Sequence, residues 1–232
     1  MNIMNTYQTI AAFSLLTLYA LPVTGAPTNI VKNGSFELGD VGFTSDYIPS
    51  IYDGGYVITT DPSIFNGNFN SAADHTTGAG NMFSVNGHAI AGKTVWESQN
   101  IHVLANTTYT FEVWAMNVCC KPSDAFPDPA STNPASLRFD IVIGSEITTL
   151  GNMDTNLNAG IWDSFSTNWL SGTSTDITLR ITDTNTEIFG NDFAIDDIRF
   201  LSPVPEPDTY AMFLLGLGLL GFMSAYRKGR VN

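Results

Sequence analysis

Residues Ser136 to Gly144 read SLRFDIVIG, and apolar and polar side chains alternate along them. The odd-numbered positions from 137 to 143 are apolar, whereas Arg138 and Asp140 are charged. Successive side chains of a strand point to opposite faces, so this period of two places one row on a core and the other towards solvent. The stretch therefore predicts a β-strand with one buried face.

Three further stretches have the same period: Thr108 to Val113, Asp176 to Thr182 and Ala194 to Leu201. Gly, Asn and Pro residues separate these stretches, and no amphipathic helical pattern lies between them. Short alternating strands joined by such turns are typical of an antiparallel β-sandwich. A doubly wound fold is excluded, because its parallel strands would have to alternate with helices.

The region between the two ends of the chain is strongly acidic. Between Pro27 and Pro203 there are twenty acidic and six basic residues, and the whole chain has a formal net charge of -13. Such a surface repels phosphate, so nucleic acid is excluded as a partner and anionic lipid is disfavoured. Divalent cations and neutral glycans remain compatible with it.

The N-terminus predicts a secretory signal peptide over residues 1–25, recognised by the Sec machinery. Ile10 to Leu21 is an apolar run too short to cross a bilayer comfortably, and Pro22 and small residues follow it. Met1 to Ile10 contains no Lys or Arg, so a retained N-terminal anchor is an alternative. Residues 26–202 then form the mature domain, which has the length of a single domain.

Residues 203–232 combine three features in a fixed order. Pro205, Glu206 and Pro207 predict an accessible, non-helical segment, because proline can join neither a helix nor a ladder. The apolar run Tyr210 to Tyr226 predicts a helix of about 25 Å, which is near the short end of what spans a bilayer. Three basic residues behind it would keep the C-terminus on the cytoplasmic side. The alternative is a buried helix of a soluble domain.

This order of features resembles the PEP-CTERM sorting signal of Gram-negative bacteria. In that family an exosortase, an integral membrane transpeptidase-like enzyme, cuts at the Pro-Glu-Pro segment and transfers the chain towards the cell surface. The resemblance implies that Pro205, Glu206 and Pro207 are the substrate of another protein. It also implies that the C-terminal helix anchors the chain in the inner membrane only transiently.

The last alternating stretch contains two neighbouring carboxylates. By parity Asp196 shares a face with Ile198 and Phe200, so its carboxylate is expected to point towards the core, whereas Asp197 points outward. A buried carboxylate requires a counter-charge, a set of hydrogen-bond donors or a metal ion. Near the mature N-terminus, Glu37 follows an Asn-Gly turn and supplies another carboxylate.

The region from Asn33 to Phe200 resembles the jelly-roll, galactose-binding-like domains of carbohydrate-binding modules. In those relatives an opening Asn-Gly-x-Phe-Glu meets a closing Ile-Asp-Asp strand, and their carboxylates share a structural calcium ion. The resemblance implies that Glu37 and Asp196 are calcium ligands. The alternative is that Asp196 accepts hydrogen bonds from backbone donors or pairs with a basic residue, without a metal.

Asp74 and His75 open a Gly-rich stretch that also resembles a signature of this secreted group. A catalytic role would require a nucleophile or a held substrate in addition to an Asp-His pair. The chain has no Gly-x-Ser-x-Gly or His-Glu-x-x-His motif, and its three histidines do not have the spacing of zinc ligands. We therefore expect a turn in which Asp74 or Thr76 caps backbone donors, and a protein that is not an enzyme.

Aromatic side chains are the candidates for glycan contact, because a ring stacks on the apolar face of a pyranose. Tyr52 is the preferred candidate, since its loop contains two glycines and no strand period. At least one of Trp162 and Trp169 is expected to be structural. The predicted ligand-binding candidates are Tyr52, Tyr56, Trp96 and Trp114.

Cys119 and Cys120 are adjacent and are the only cysteines of the chain. An exported protein rarely keeps free thiols, so a vicinal disulfide is preferred over two thiols. Pairing between molecules is an alternative, and a metal site is disfavoured because no other Cys or His is near in sequence.

These features together predict an exported, exosortase-sorted protein of the cell surface or extracellular matrix. Its expected role is non-catalytic: the binding or structuring of extracellular polysaccharide, as in a biofilm matrix. One alternative is a polysaccharide-acting hydrolase or lyase, which requires a pair of carboxylates in a groove. The other is a purely structural surface protein with its aromatic rings buried.

Overall fold

The computed structural model describes residues 26–122, 133–187, 189–203 and 213–221. Apart from one helix of four residues, α1 (Pro62–Phe65), and helical residues 213–221, its regular elements are strands. In chain order they are β1 (Thr28–Asn29), β2 (Phe43–Thr44), β3 (Ile48–Pro49), β4 (Gly55–Thr59), β5 (Met82–Asn86), β6 (Lys93–Ser98), β7 (Ile101–His102), β8 (Thr108–Asn117), β9 (Ser136–Ile143), β10 (Glu146–Asp154), β11 (Asp163–Leu170), β12 (Asp176–Asp183) and β13 (Phe193–Ser202).

The strands form two sheets, which we call the β8 sheet and the β9 sheet. The β8 sheet has the order β11-β8-β13-β5-β4-β3, with β1 also paired to β13. The β9 sheet has the order β10-β9-β12-β6-β2, with β7 also paired to β12. The pairs are antiparallel except that of β3 with β4. The predicted jelly-roll β-sandwich is therefore confirmed, and the four stretches singled out from their alternation are β8, β9, β12 and β13.

The main core lies between the inward faces of the two sheets. The odd positions of β9 supply Leu137, Phe139 and Ile141, which are fully buried, as their alternation predicts. Aromatic rings meet across the core, and Phe111 of β8 lies 5.6 Å from Phe139 between ring centroids. Each fully buried apolar side chain of this size contributes about 1.5–3 kcal/mol through removal from water.

A second apolar cluster covers part of the outer face of the β8 sheet. Phe65 of α1 and Phe69 just after it pack with Met82, Met116 and Ala194 of the sheet. Asp61 begins α1 by accepting the N–H of Ser63 at 2.9 Å. These contacts hold the segment between β4 and β5 against the sheet. Polar side chains of this segment lie on either side of the apolar cluster.

A β-bulge in β13 changes which side chains face the core. The register shifts between Asp196 and Arg199, and Asp197 adopts a φ of 50°. Ile195 and Ile198 both lie in the main core, so parity is interrupted between them. The prediction that Asp196 shares the face of Ile198 is therefore wrong: Asp196 pairs with Trp114 on the outer face. Asp197 does point outward, as predicted, but it is buried because a loop covers it there, with its Oδ2 2.6 Å from Nδ1 of His75.

The predicted membrane-spanning run, Tyr210 to Tyr226, lies only partly within the described residues, and residues 213–221 of it are helical. Within the part of the chain that the structure describes, no helix has both the length and the apolar character needed to cross a bilayer. The signal peptide and the segment of Pro205, Glu206 and Pro207 lie outside the described residues.

Candidate ligand-binding site

A cavity of about 260 Å³ opens at one end of the β8 sheet. Antiparallel pairing brings the ends of β5 and β8 to the same edge as the beginnings of β4 and β13. Polar residues follow or precede each of these strands at that edge. The cavity is lined by two carboxylates and three amides: Asp53, Asp192, Asn66, Asn68 and Asn86.

The loop before β4 forms one wall of the cavity, and its glycines are required by close contacts. A Cβ atom on Gly55 would lie 1.9 Å from the carbonyl oxygen of Ser50. The N–H of Gly55 donates to the carbonyl of Tyr52 at 2.8 Å, which closes a tight turn. The Asn86 side chain donates to the carbonyl of Ile51 at 3.0 Å and fastens the loop to β5. Asp53 is thereby placed in the cavity, and its neighbour Tyr52 is 74% exposed.

The opposite wall is built by the segment after α1, which runs beside the end of β8. Phe69 forms an isolated bridge with Cys119, and the N–H of Lys121 donates to the carbonyl of Asn68 at 2.7 Å. The N–H of Asn70 donates to the carbonyl of Val118 at 2.8 Å. These bonds fix the amides of this segment at the cavity while the ring of Phe69 is buried beneath them.

The charge of the cavity is negative. Asp192 is almost fully buried, and its Oδ1 accepts the N–H of Gly87 at 3.0 Å. Burial, together with the neighbouring charges of Asp53 and Asp183, raises the pKa of Asp192 to about 7 against the lowering effect of that hydrogen bond. Among the described residues, neither lysine nor arginine lines the cavity. The site therefore suits hydroxyl groups or a cation better than an anion.

Burial also raises the pKa of Asp183 to about 7. The folded state therefore holds the proton of the Asp183 carboxyl more tightly than the unfolded state does. This proton binding stabilises the fold below pH 4, and the stabilisation is lost as the pH rises towards 7. We expect Asp183→Asn to unfold several degrees higher than the unaltered protein at pH 8, since 1 kcal/mol corresponds to roughly 2–4 °C here. At pH 4 the two proteins should unfold at the same temperature.

Thermal unfolding followed by circular dichroism from pH 4 to pH 8 checks this expectation. The exposed Glu146→Gln serves as the control and should run parallel to the unaltered protein. A difference between Asp183→Asn and the unaltered protein that stays constant with pH would contradict it.

A second polar cluster lies on the outer face of the β8 sheet, where a loop docks on β13. Asp196 Oδ2 accepts the N–H groups of His75 and Thr76 at 2.9 and 3.0 Å, and its Oδ1 accepts that of Asp197 at 2.7 Å. Within the loop, Asp74 accepts the N–H of Thr77 at 2.7 Å. The prediction that Asp74 caps a turn is therefore confirmed.

His75 is held on both sides in this cluster. Its Nδ1 lies 2.6 Å from Oδ2 of Asp197, and its ring stacks on Trp114 with centroids 3.8 Å apart. Arg199 Nη2 lies 3.0 Å from Oδ1 of Asp197. Burial raises the pKa of Asp197, but the bonds from His75 and Arg199 outweigh burial and lower it overall. These contacts orient the imidazole for docking of the loop.

The structure places the four predicted aromatic candidates in different environments. Tyr52 is exposed beside the cavity, and Trp114 is half-buried beneath His75. Tyr56 stacks on Phe83 in the core, and its hydroxyl donates to Asp40 at 2.9 Å. Burial raises the pKa of Tyr56 to about 12.

Trp96 has to be withdrawn as a stacking platform, because it is fully buried. The pairing of β6 with β12 shifts register so that Trp96 is opposite Ile181 and Thr94 is opposite Thr182. Val95 is the extra residue of this bulge, and both it and Trp96 enter the main core. The expectation that at least one of Trp162 and Trp169 is structural is confirmed, since both pack against apolar clusters.

The two segments expected to share calcium do meet. The N–H of Ile198 donates to the carbonyl of Gly34 at 2.9 Å, and Glu37 Oε1 accepts the N–H of Asn81 at 3.1 Å. Glu37 and Asp196 thus hold different residues of the loop that follows Asp74. A calcium ion at Asp196 would have to displace its present hydrogen bonds, and within the described ranges neither carboxylate belongs to a group of three metal-binding side chains. The calcium site stays a prediction.

The cysteines lie at the cavity and not in an isolated turn. The structure joins Cys119 to Cys120 as a disulfide, and both are buried in the wall beside Asp192. Sequence reasoning did not predict that Asp192 lies beside the cysteines, and it did not identify the amides of the cavity. The available signal was the recurrence of Asn and Asp at strand ends, but only the strand pairing shows which ends lie together.

The C-terminal residues match a known family model, whereas the domain is recognised only by its fold. Residues 203–228 match the PEP-CTERM protein-sorting motif, which implies export and sorting to the cell surface. No curated protein matches the chain.

Solved structures with similar folds include both enzymes and binding modules. The Stig cyclase Fisc from Fischerella sp. TAU has 16% sequence identity and a TM-score of 0.54, over 78% of this chain and 100% of that chain. The CBM22-1 xylan-binding domain from Paenibacillus barcinonensis has 13% identity and a TM-score of 0.45, over 74% and 93% of the two chains. A family 16 carbohydrate-binding module has 16% identity and a TM-score of 0.42, over 74% and 99%. At these identities the likeness concerns the fold alone.

Proposed function

We propose that this protein is a non-catalytic, surface-sorted binder of extracellular polysaccharide, and that the cavity at the end of the β8 sheet receives the sugar. The observation that carries the proposal is the chemistry of this cavity. Its three amides and two carboxylates can donate to and accept from several hydroxyl groups at once. A neutral sugar satisfies such groups without bringing a charge that the acidic surface would repel.

Two exposed rings next to the cavity support this choice of ligand. Tyr52 is 74% exposed beside Asp53, and Phe189, which lines the cavity, is 70% exposed. A pyranose has an apolar face that packs on an aromatic ring while its hydroxyls meet polar groups. The Asn86 side chain donates to the carbonyl of Ile51, so the backbone that carries the Tyr52 ring is fixed to β5 before a ligand arrives.

The sorting motif supports the location of the proposed function. An exosortase would cut at Pro205, Glu206 and Pro207, after the C-terminal helix has held the chain briefly in the inner membrane. The domain would then face the extracellular matrix, where polysaccharide is abundant. Structural calcium at Glu37 and Asp196 is proposed for the folding of the domain and not for sugar contact.

Affinity electrophoresis tests the proposal, with the full chain in detergent run through gels that contain different polysaccharides, including that of the producing organism. We expect retardation by one polysaccharide. Tyr52→Ala should weaken it about tenfold, because a lost stacking contact of up to about 1.5 kcal/mol corresponds to a tenfold change. Asn68→Ala should also weaken it, since this exposed amide lines the cavity.

Leu104→Ala is the matched control, because Leu104 is 72% exposed and does not line the cavity. Gels with calcium and with a chelator show whether the ion supports the fold. Absence of retardation in every gel would leave a purely structural surface protein. Release of new sugar ends from the retarding polysaccharide would instead indicate a hydrolase or lyase.

A further inference from the structure

Three potential metal ligands converge in the wall of the cavity. The Sγ atoms of Cys119 and Cys120 and a carboxylate oxygen of Asp192 all lie within 4.8 Å of one another. All three residues are buried. In the residues that the structure describes, no other group of three His, Cys, Asp or Glu side chains is arranged in this way.

Among the described residues that line the cavity, no basic side chain compensates the charge of this group. Oδ1 of Asp192 accepts the N–H of Gly87, and Oδ2 accepts no hydrogen bond from the described residues. Asp53 and Asp183 add further negative charge near Asp192. Since no lysine or arginine is among the described residues that line the cavity, a cation would relieve this repulsion.

We propose that reduction of the Cys119–Cys120 disulfide creates a binding site for a thiophilic divalent cation of the Zn²⁺ type, held by both thiolates and Asp192. A thiol or phosphine reductant supplies the two electrons that break the S–S bond. A phosphine becomes its oxide, with the oxygen taken from water, and each sulfur gains one proton. Binding of the cation then releases both thiol protons, together with any proton on Asp192.

The ligand types favour zinc over the hard cations. Zn²⁺ accepts thiolate sulfur at about 2.3 Å and carboxylate oxygen at about 2.0–2.2 Å, whereas calcium requires six to eight oxygens. Three protein ligands leave a fourth tetrahedral position, which the cavity makes accessible to water or to a polar ligand.

One neighbouring hydrogen bond orients the carboxylate of Asp192, and another holds the backbone at Cys119. The N–H of Gly87 fixes one oxygen of Asp192, and Asn117 Oδ1 accepts the N–H of Cys119 at 2.8 Å. Supporting contacts of this kind commonly hold metal ligands in place. The disulfide and the cation-bound form exclude each other, because both use the same sulfur atoms.

Cobalt titration tests the site directly. The full chain is reduced with a water-soluble phosphine without oxygen, freed of reductant and titrated with Co²⁺ as a spectroscopic substitute for Zn²⁺. We expect thiolate-to-cobalt charge-transfer bands that saturate at one equivalent and disappear when Zn²⁺ is added. The disulfide form should show none of these bands.

Variants separate the proposed ligands from their surroundings. Asp192→Asn should weaken Co²⁺ binding at least about tenfold, because changes even to groups that only support metal ligands cost 10–100-fold. Cys119→Ser and Cys120→Ser should each remove most of the charge-transfer intensity, and the exposed Glu146→Gln should bind as the unaltered chain does. Because a variant can fail to fold, protection of both thiols from iodoacetamide by Zn²⁺ is measured in the unaltered reduced chain as well.

Three results would overturn the proposal. They are the absence of both cobalt bands and thiol protection in the reduced chain, equal binding by the disulfide form, and unchanged affinity in a folded Asp192→Asn. None of these measurements involves a sugar, so their failure is distinguishable from failure of the proposed polysaccharide binding.

Discussion

Asp196→Ala is expected to lower the free energy of unfolding by about 3–5 kcal/mol, the largest effect we expect from the loss of one side chain. The carboxylate of Asp196 accepts the backbone N–H groups of His75, Thr76 and Asp197. Asp196 itself is fully buried, so water cannot replace these bonds without an opening of the loop. Alanine would leave three donors without an acceptor.

Urea denaturation followed by tryptophan fluorescence measures this effect, with Trp114 serving as a local reporter because it stacks on His75. Asp196→Asn retains one acceptor oxygen, so its free energy of unfolding should lie between those of the alanine variant and the unaltered protein. Glu146→Ala, at the exposed start of the edge strand β10, is the control and should change the free energy of unfolding by less than about 1 kcal/mol. Equal stability of the two alanine variants would contradict the assigned role of Asp196.

If Asp196 instead binds calcium, the same variants give a different pattern. The unaltered protein would then lose stability on addition of a chelator, whereas Asp196→Ala would be insensitive to it. If no metal is bound, the chelator should change the stability of neither the unaltered protein nor Asp196→Ala. This comparison decides between the two alternatives left open by the resemblance of the region from Asn33 to Phe200.

Gly34→Ala is expected to cost more than about 3 kcal/mol, or to prevent folding, because there is no space for a methyl group. A Cβ atom at Gly34 would lie 2.0 Å from the carbonyl oxygen of Ile198. That oxygen belongs to the backbone of β13 and cannot move away as the tip of a side chain can. The bond from Ile198 N–H to the carbonyl of Gly34 would be strained as well.

Gly67→Ala is the matched control, because a Cβ atom there would meet no atom within 4 Å. Its free energy of unfolding should lie within about 0.5 kcal/mol of that of the unaltered protein, as is usual for substitutions at unconstrained surface positions. The yield of soluble protein and the urea midpoint are the measurements. A Gly34→Ala variant as stable as Gly67→Ala would show that the N-terminal segment does not pack on β13 as described.

The strands that sequence analysis identified are those with one apolar face and one polar face. Residues 136–143 and 176–183 alternate cleanly, since their inner rows lie on the core and their outer rows meet solvent. Edge strand β11 was not singled out, because its sequence, DSFSTNWL, has few apolar residues on either face. The turn at Asp74 was predictable because its donors lie within six residues of the carboxylate.

The site depended on information that the linear sequence does not contain. Two bulges, at Val95 and at Asp197, interrupt the alternation, so parity predicted the wrong face for Asp196 and did not predict the burial of Trp96. A bulge depends on how one strand pairs with its neighbour, and the neighbour lies far away in the chain. The side chains of Cys119 and Asp192 likewise meet only through pairing of β8 with β13.

The sequence by itself determined the class of fold and the sorting tail, because a period of two and a contiguous motif are local properties of the chain. The tertiary structure alone decided which carboxylates are buried, which rings are exposed and where the polar strand ends converge. Those outcomes depend on contacts between residues about 70 to 170 positions apart, such as Cys119 with Asp192 and Gly34 with Ile198. Register and packing select among such contacts only when the two sheets assemble.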